Sequence, residues 1–146
     1  MITILLVDDH TYIREGIRYL LETAADMQVL ATASNGIEAV AKARLFQPDV
    51  VIIDISMPLM NGIEATQQIS ASCPRTRILT LSIYANPEYV HSALEAGVYG
   101  YVLKDQIADE LLQAIRSLSI GRRYFSPRIA ASVQPYIQED DGASAA

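Results

Sequence analysis

Short runs of Val, Ile and Leu alternate along this chain with longer stretches in which apolar residues return every three or four positions. The runs at 2–8, 29–33, 50–54, 78–82 and 100–103 read as strands. Their near-continuous hydrophobicity marks strands covered by helices on both faces, since a half-exposed strand would alternate apolar with polar. Between them, Ile13, Ile17, Leu20, Leu21 and Ala24 form one helical stripe, and Ile37, Val40, Ala41 and Leu45 a second. A third helix is expected to begin near Gly62 and bury Ala65 and Ile69. Asn86 and Pro87 open a fourth, closed by Gly97, and a fifth carries Ile107, Leu111, Ile115 and Leu118 and stops at Gly121. Five βα units predict an α/β fold, a doubly wound parallel sheet in a three-layer sandwich.

Past the fifth helix the pattern weakens. Ser126 and Pro127 predict a short helix over 128–133, Pro135 interrupts it, and Glu139, Asp140 and Asp141 lead into a Gly/Ala/Ser end. The expected organisation is one domain over 1–127, with 128–146 a linker or short helix and a flexible acidic tail. The 146 residues are enough for one core without disulfide or metal staples. The single cysteine, Cys73, forms no intrachain disulfide and no thiolate cluster. No run approaches the ~20 apolar residues of a membrane span. The first residues, 1–7, lack a basic leader and run into Asp8 and Asp9, so no signal peptide is expected and the protein is placed in the cytoplasm. A net charge of −6 argues against a nucleic-acid footprint on this chain.

In an open doubly wound sheet, ligands bind outside the carboxyl ends of the strands, where the strand order reverses. The residues at those ends are Asp8 and Asp9 after the first strand, Asp54 at the third, Ser82 at the fourth and Lys104 after the fifth. Clustered carboxylates repel one another and call for a cation; Mg2+, which takes oxygen ligands and keeps several waters, suits a loose acidic rim. His10 adjoins the cluster, but one imidazole without partners argues against zinc. A carboxylate is a nucleophile at neutral pH without a general base. Phosphoryl transfer needs positioning and charge neutralisation on the equatorial oxygens, so a cation on one side and the Lys104 ammonium on the other fit attack by Asp54 on phosphorus. Ser82 then donates its hydroxyl to a phosphoryl oxygen.

The segments LLVDDH, DVVIIDISMPLMNGIEA, ILTLS and GYVLKD, in this order and on these strand ends, resemble the receiver domains of two-component response regulators. The likeness covers residues 2 to about 127. It implies a flavodoxin/CheY-like sheet of strand order 2-1-3-4-5 and phosphorylation of Asp54 by a sensor histidine kinase. It implies Mg2+ held by Asp8, Asp9, Asp54 and the backbone carbonyl of Ser56, a phosphoryl group bound by Ser82 and Lys104, and Tyr101 as an aromatic switch partner of Ser82. Ser56 and Tyr84, two residues beyond Asp54 and Ser82, flank the phosphoryl group in this family and influence its lifetime. The ending KDQIADELLQAIRSLSIGRRYFSP is similar to the NarL/FixJ group, whose members normally continue into a LuxR-type helix-turn-helix domain; the sequence stops short of one, as a piece of a longer regulator or a short one would. The implied function is a phosphorylation-dependent switch of a protein-interaction surface, with homodimerisation and control of transcription in the full-length family.

Each residue also has a plainer reading: Asp8 and Asp9 as helix caps, Lys104 as a solvated loop lysine, Tyr101 as a space-filling strand aromatic. The combination favours the site. An aspartate-nucleophile phosphatase would want a second aspartate at position 56, which is Ser56. A nucleotide or flavin binder would want a glycine-rich first turn, which DDHTYIREG is not. The remaining alternative is a pseudo-receiver, an interaction module on the same fold without phosphorylation. An enzyme in the ordinary sense is not expected, only Mg2+-dependent self-phosphorylation and slow autodephosphorylation.

Overall fold

A computed structural model describes residues 1–55 and 60–133. The expected Ser56 carbonyl contact and the acidic tail lie outside these residues. The elements run β1 (Ile2–Val7), α1 (Thr11–Glu22), β2 (Met27–Ala33), α2 (Gly36–Phe46), β3 (Val50–Asp54), α3 (Gly62–Ser72), β4 (Arg77–Ser82), α4 (Pro87–Ala96), β5 (Gly100–Leu103), α5 (Ile107–Ser119) and β6 (Tyr124–Phe125). All strand pairs are parallel, in the order β2-β1-β3-β4-β5-β6. The reversal of direction falls between β1 and β3, which sit side by side with Val7 opposite Ile53.

Strand alternation divides the core into two layers. Leu5, Val7, Val51 and Ile53 face α2, α3 and α4 through Val40, Ala43, Ala65, Ile69, Val90 and Ala93. Ile4, Leu6, Val50 and Ile52 face α1 and α5 through Ile17, Leu21, Leu111, Ala114, Ile115 and Leu118. Successive side chains leave opposite faces of a strand, so a sheet buried on both sides must be apolar at every position, as these strands are. Among the described residues, no helix is long and apolar enough to cross a membrane.

Two expectations fail here. The sheet has a sixth strand: Tyr124 and Phe125 pair with Gly100 and Tyr101 of β5. Two residues carry no readable periodicity, and the strand exists because the chain turns at Gly121, φ 83°, and returns along the open edge of β5. The predicted buried stripe on α2 is also displaced. Ile37, Ala41 and Leu45 point to solvent, and the buried face is Gly36, Ala39, Val40 and Ala43. Small residues let the helix axis come close to the sheet and to α3, so packing distance, not side-chain hydrophobicity, sets its rotation.

Residues 126–133 pack back on the domain. After the turn at Pro127–Ile129 the chain stays helical through residue 133, and Ile129 and Val133 are wholly buried in the layer of Tyr101 and Leu103. Ser126 does not cap this turn with its side chain. Its hydroxyl instead accepts from the Leu103 N–H at 3.1 Å and donates to Glu110 at 2.7 Å. The Tyr124 hydroxyl donates to the same carboxylate at 3.0 Å. Burial, and then this bond, push the Tyr124 phenol up to about 12.

Candidate functional site

At the carboxyl end of the sheet, β1, β3 and β4 stop together and hand their last residues to loops. Asp8 follows β1 directly; its N–H donates to the Ala33 carbonyl at 3.1 Å, so the β1–β2 ladder extends one residue and carries the side chain into the protein. Asp8 is fully buried. One of its oxygens, Oδ1, accepts from the His10 N–H at 2.8 Å, while Oδ2 has no hydrogen-bond donor and faces Lys104 Nζ at 3.7 Å. Its carbonyl is held by Arg14 from the first turns of α1, at 2.9 Å. Asp54 is the last residue of β3 and is 3% exposed. Lys104, just beyond β5, reaches across β4 and donates to Asp54 Oδ2 at 2.8 Å.

The carboxylates of Asp8, Asp9 and Asp54 and a ring nitrogen of His10 all lie within 4.8 Å of one another. Negative charge is therefore concentrated where water is scarce, against one ammonium. Buried charges need matching partners, and three carboxylates per lysine is a deficit that a divalent cation would fill. The donor set fits Mg2+: Asp8, Asp9 and Asp54 offer hard oxygen donors beside an open cleft. That cleft, about 260 Å³, is lined by His10, Ile13, Asp54, Ser82, Ile83, Tyr84 and Lys104.

On the far wall Ser82 ends β4 and is buried. Its hydroxyl accepts from the Tyr84 N–H at 2.9 Å, and the Tyr84 carbonyl in turn accepts from the Tyr101 hydroxyl at 2.7 Å. The Tyr84 ring stacks on Tyr89 of α4, centroids 4.3 Å apart. A continuous path thus runs from the cleft through Ser82 and Tyr84 to α4 and β5. Tyr101 is fully buried, and burial raises its phenol above the usual range, with the Ser82 hydroxyl pulling the other way. The ring lies inside the protein, where its hydroxyl has a carbonyl to bind in the β4–α4 loop.

Asp8, Asp9, Asp54, Ser82 and Lys104 are thus gathered at one cleft, with Tyr101 one hydrogen bond behind it. Unanticipated are Arg14, which fixes the backbone of Asp8, and the entry of His10 into the cluster. The Asp-Asp-His run hinted at the second, but strand-end spacing does not say which way a third side chain turns. At Gly62, where α3 begins, a Cβ would lie 2.2 Å from the Asp54 carbonyl oxygen, so glycine lets the helix start against β3.

Residues 4–116 match the response regulator receiver domain family. The chain is a response regulator receiver domain. It is 38% identical over 133 residues to the transcriptional regulatory protein LnrK of Bacillus subtilis, covering 91% of this chain and 60% of that protein. It is 37% identical over 133 residues to the response regulator VraR of Staphylococcus aureus, covering 91% and 64%. The receiver therefore spans less than two thirds of the length of these curated relatives. Among solved structures, a LuxR-family two-component response regulator from Aurantimonas sp. SI85-9A1 superposes with a TM-score of 0.86 at 38% identity, over 97% of this chain and 98% of that one. The response regulator domain of Thermotoga maritima CheB superposes with a TM-score of 0.77 at 33% identity, over 82% and 97%. The Aurantimonas protein is of the LuxR family, the group that the ending after Leu103 resembles.

Proposed function

We propose that Asp54 accepts a phosphoryl group from a sensor histidine kinase in the cytoplasm and that the modification reshapes the α4–β5 surface. The observation that carries this reading is the Lys104 Nζ contact at 2.8 Å from Asp54 Oδ2, with two further carboxylates within 4.8 Å. In the step, an Asp54 oxygen bonds to phosphorus while the bond from phosphorus to the donor nitrogen breaks, and the electron pair leaves on the donor imidazole. Lys104 then follows the negative charge onto the phosphoryl oxygens. Asp8, Asp9, Asp54 and the Ser56 carbonyl would hold Mg2+, which would supply charge neutralisation to the same group.

Ser82 contributes the switch. To donate to a phosphoryl oxygen its hydroxyl must stop accepting from the Tyr84 N–H, which frees the loop whose carbonyl holds Tyr101 and whose ring stacks on α4. The phosphoryl group makes these contacts in one state only, which is the condition for a ligand to shift an equilibrium. The receiver, with Ile129 and Val133 packed into its core, forms the phosphorylated unit. By analogy with LnrK, a transcriptional regulatory protein, the output is control of transcription, with self-association of receivers as the intermediate event.

Intact mass after incubation with acetyl phosphate and Mg2+ tests the reading. One phosphoryl group is expected on the wild-type chain and none on Asp54→Asn. A folded wild-type chain that gains no mass would leave the fold as a pseudo-receiver, and labelling of Asp54→Asn would move the acceptor elsewhere.

A further inference from the structure

We propose that residues 126–133 are a strap laid over the α4–β5 face, and that occupation of the acceptor releases its far end while its root stays fixed. Resting on the proposed switch at Asp54, this names the segment on which that switch acts. The root is tied to β5 and α5. The Ser126 N–H donates to the Tyr101 carbonyl at 3.0 Å, and the Leu103 N–H donates to the Ser126 hydroxyl at 3.1 Å. Glu110, buried on α5, accepts from the hydroxyls of both Ser126 and Tyr124.

The far end is tied to other groups. Ile129 and Val133, one helical turn apart, are wholly buried in the cluster that holds the Tyr101 ring and, from α4, Val90 and Ala93. Also on α4, His91 Nε2 donates to the Ser132 carbonyl at 3.0 Å. The strap thus closes over Tyr101 and α4, the two features that the β4–α4 loop positions. Tyr84 in that loop accepts from the Tyr101 hydroxyl at 2.7 Å and stacks its ring on Tyr89 of α4.

Tyr101 stands where the two sets of contacts meet. Its carbonyl holds the root, its ring lies in the layer beneath the far end, and its hydroxyl is bonded to the loop. When the Ser82 hydroxyl turns to a phosphoryl oxygen, the Tyr84 N–H loses its acceptor and the loop is free to shift, carrying the Tyr101 and Tyr89 contacts with it. Dispersion contacts weaken within a fraction of an ångström, so such a shift strips the seat of Ile129 and Val133. The root bonds involve no atom of the loop and survive. One or two helical turns do not hold their shape undocked, so the released end unwinds. An event at Asp54 is thereby read out as the order or disorder of residues 129–133, a recognised form of switching. Linkage makes the coupling reciprocal: loosening the strap must weaken the Ser82–Tyr84 bond in the unmodified chain.

The test is amide hydrogen exchange on the full chain, read by NMR with and without beryllofluoride and Mg2+, and on unliganded Ile129→Ala and His91→Ala. The Ala130 N–H, bonded to the Pro127 carbonyl, reports the far end; the N–H groups of Tyr124 and Ser126, bonded to the carbonyls of Tyr99 and Tyr101, report the root; the Tyr84 N–H reports the loop. With beryllofluoride on Asp54, exchange at Ala130 is expected to quicken by about tenfold, and at Tyr124 and Ser126 by less than about twofold. In both variants, exchange at Tyr84 is expected to quicken by about fivefold or more while the core amides of β3 stay slow. Unchanged exchange at Ala130 with Asp54 occupied overturns the proposal, as does equal quickening at the root. So does a variant whose Ala130 amide opens while Tyr84 stays protected. A chain that takes no beryllofluoride at Asp54 defeats the phosphorylation reading, and the Tyr84 response of the two variants then decides for or against the strap by itself.

Discussion

Substituting Gly62 with alanine is the sharpest test of how the end of β3 is built. An added Cβ would lie 2.2 Å from the Asp54 carbonyl oxygen, 2.7 Å from the Ile55 Cα and 2.9 Å from the Asp54 carbonyl carbon. Non-bonded carbon contacts want about 3.5 Å, so the backbones must part by roughly 1 Å. Every obstacle is backbone, and no side chain can swing aside. The Gly62 N–H also donates to the Ile55 carbonyl at 2.8 Å, which ties the start of α3 to the same place. Overpacking typically costs about 1–3 kcal/mol, and the upper end is expected here. In urea unfolding this lowers the midpoint by on the order of 1 M. Because Asp54 is the displaced residue, its labelling by acetyl phosphate is expected to slow by about 10- to 100-fold, the effect of misplacing a reacting group by about 1 Å. Gly16→Ala is the control. Gly16 lies within α1, is exposed and has no atom within 4 Å of its added Cβ, so alanine there should stabilise by about 0.5–1 kcal/mol through helix propensity. A Gly62→Ala chain with the wild-type midpoint and labelling rate would refute the close-approach argument, as would a Gly16→Ala chain that lost more stability than Gly62→Ala.

Other consequences concern the segment after α5. Ile129→Ala should cost about 2–4 kcal/mol in urea unfolding, because Ile129 is wholly buried among Tyr101 and Leu103; a loss below about 0.5 kcal/mol would mean that the segment is not docked. Ser126→Ala should cost about 1–3 kcal/mol by the same measurement, since it strips a buried partner from both the Leu103 N–H and the Glu110 carboxylate. The Tyr124 phenol, raised to about 12 from 10.0, favours its protonated form in the fold. Its contribution is therefore whole below about pH 10 and fades as pH climbs from 10 through about 12. Compared with wild type, Tyr124→Phe should show a shallower loss of urea midpoint over that window, and parallel curves would reject the assignment.

How much of this could be read along the chain depends on which forces act locally. Parallel strands buried on both faces announce themselves, because Ile4–Val7 and Val50–Ile53 are apolar at every position until the strand ends. The polar residues at those ends, Asp8, Asp54, Ser82 and Lys104, were legible for the same reason: a charged group directly after an apolar run has only the strand's carboxyl end to occupy. What the tertiary structure alone decided concerns distances between elements. The rotation of α2 follows from how closely Ala39 and Ala43 let it approach, and hydrophobicity would have favoured Ile37 and Leu45. The strand at Tyr124–Phe125 exists because β5 offers an unpaired edge beside the returning chain. Ser126 had the sequence of a helix cap, yet its hydroxyl serves Leu103 and Glu110, which lie 23 and 16 residues away. The turn of the His10 ring toward Asp9, and the need for glycine at 62, are facts of one atom meeting another across the fold. No pattern of residue types along a single chain encodes such a meeting.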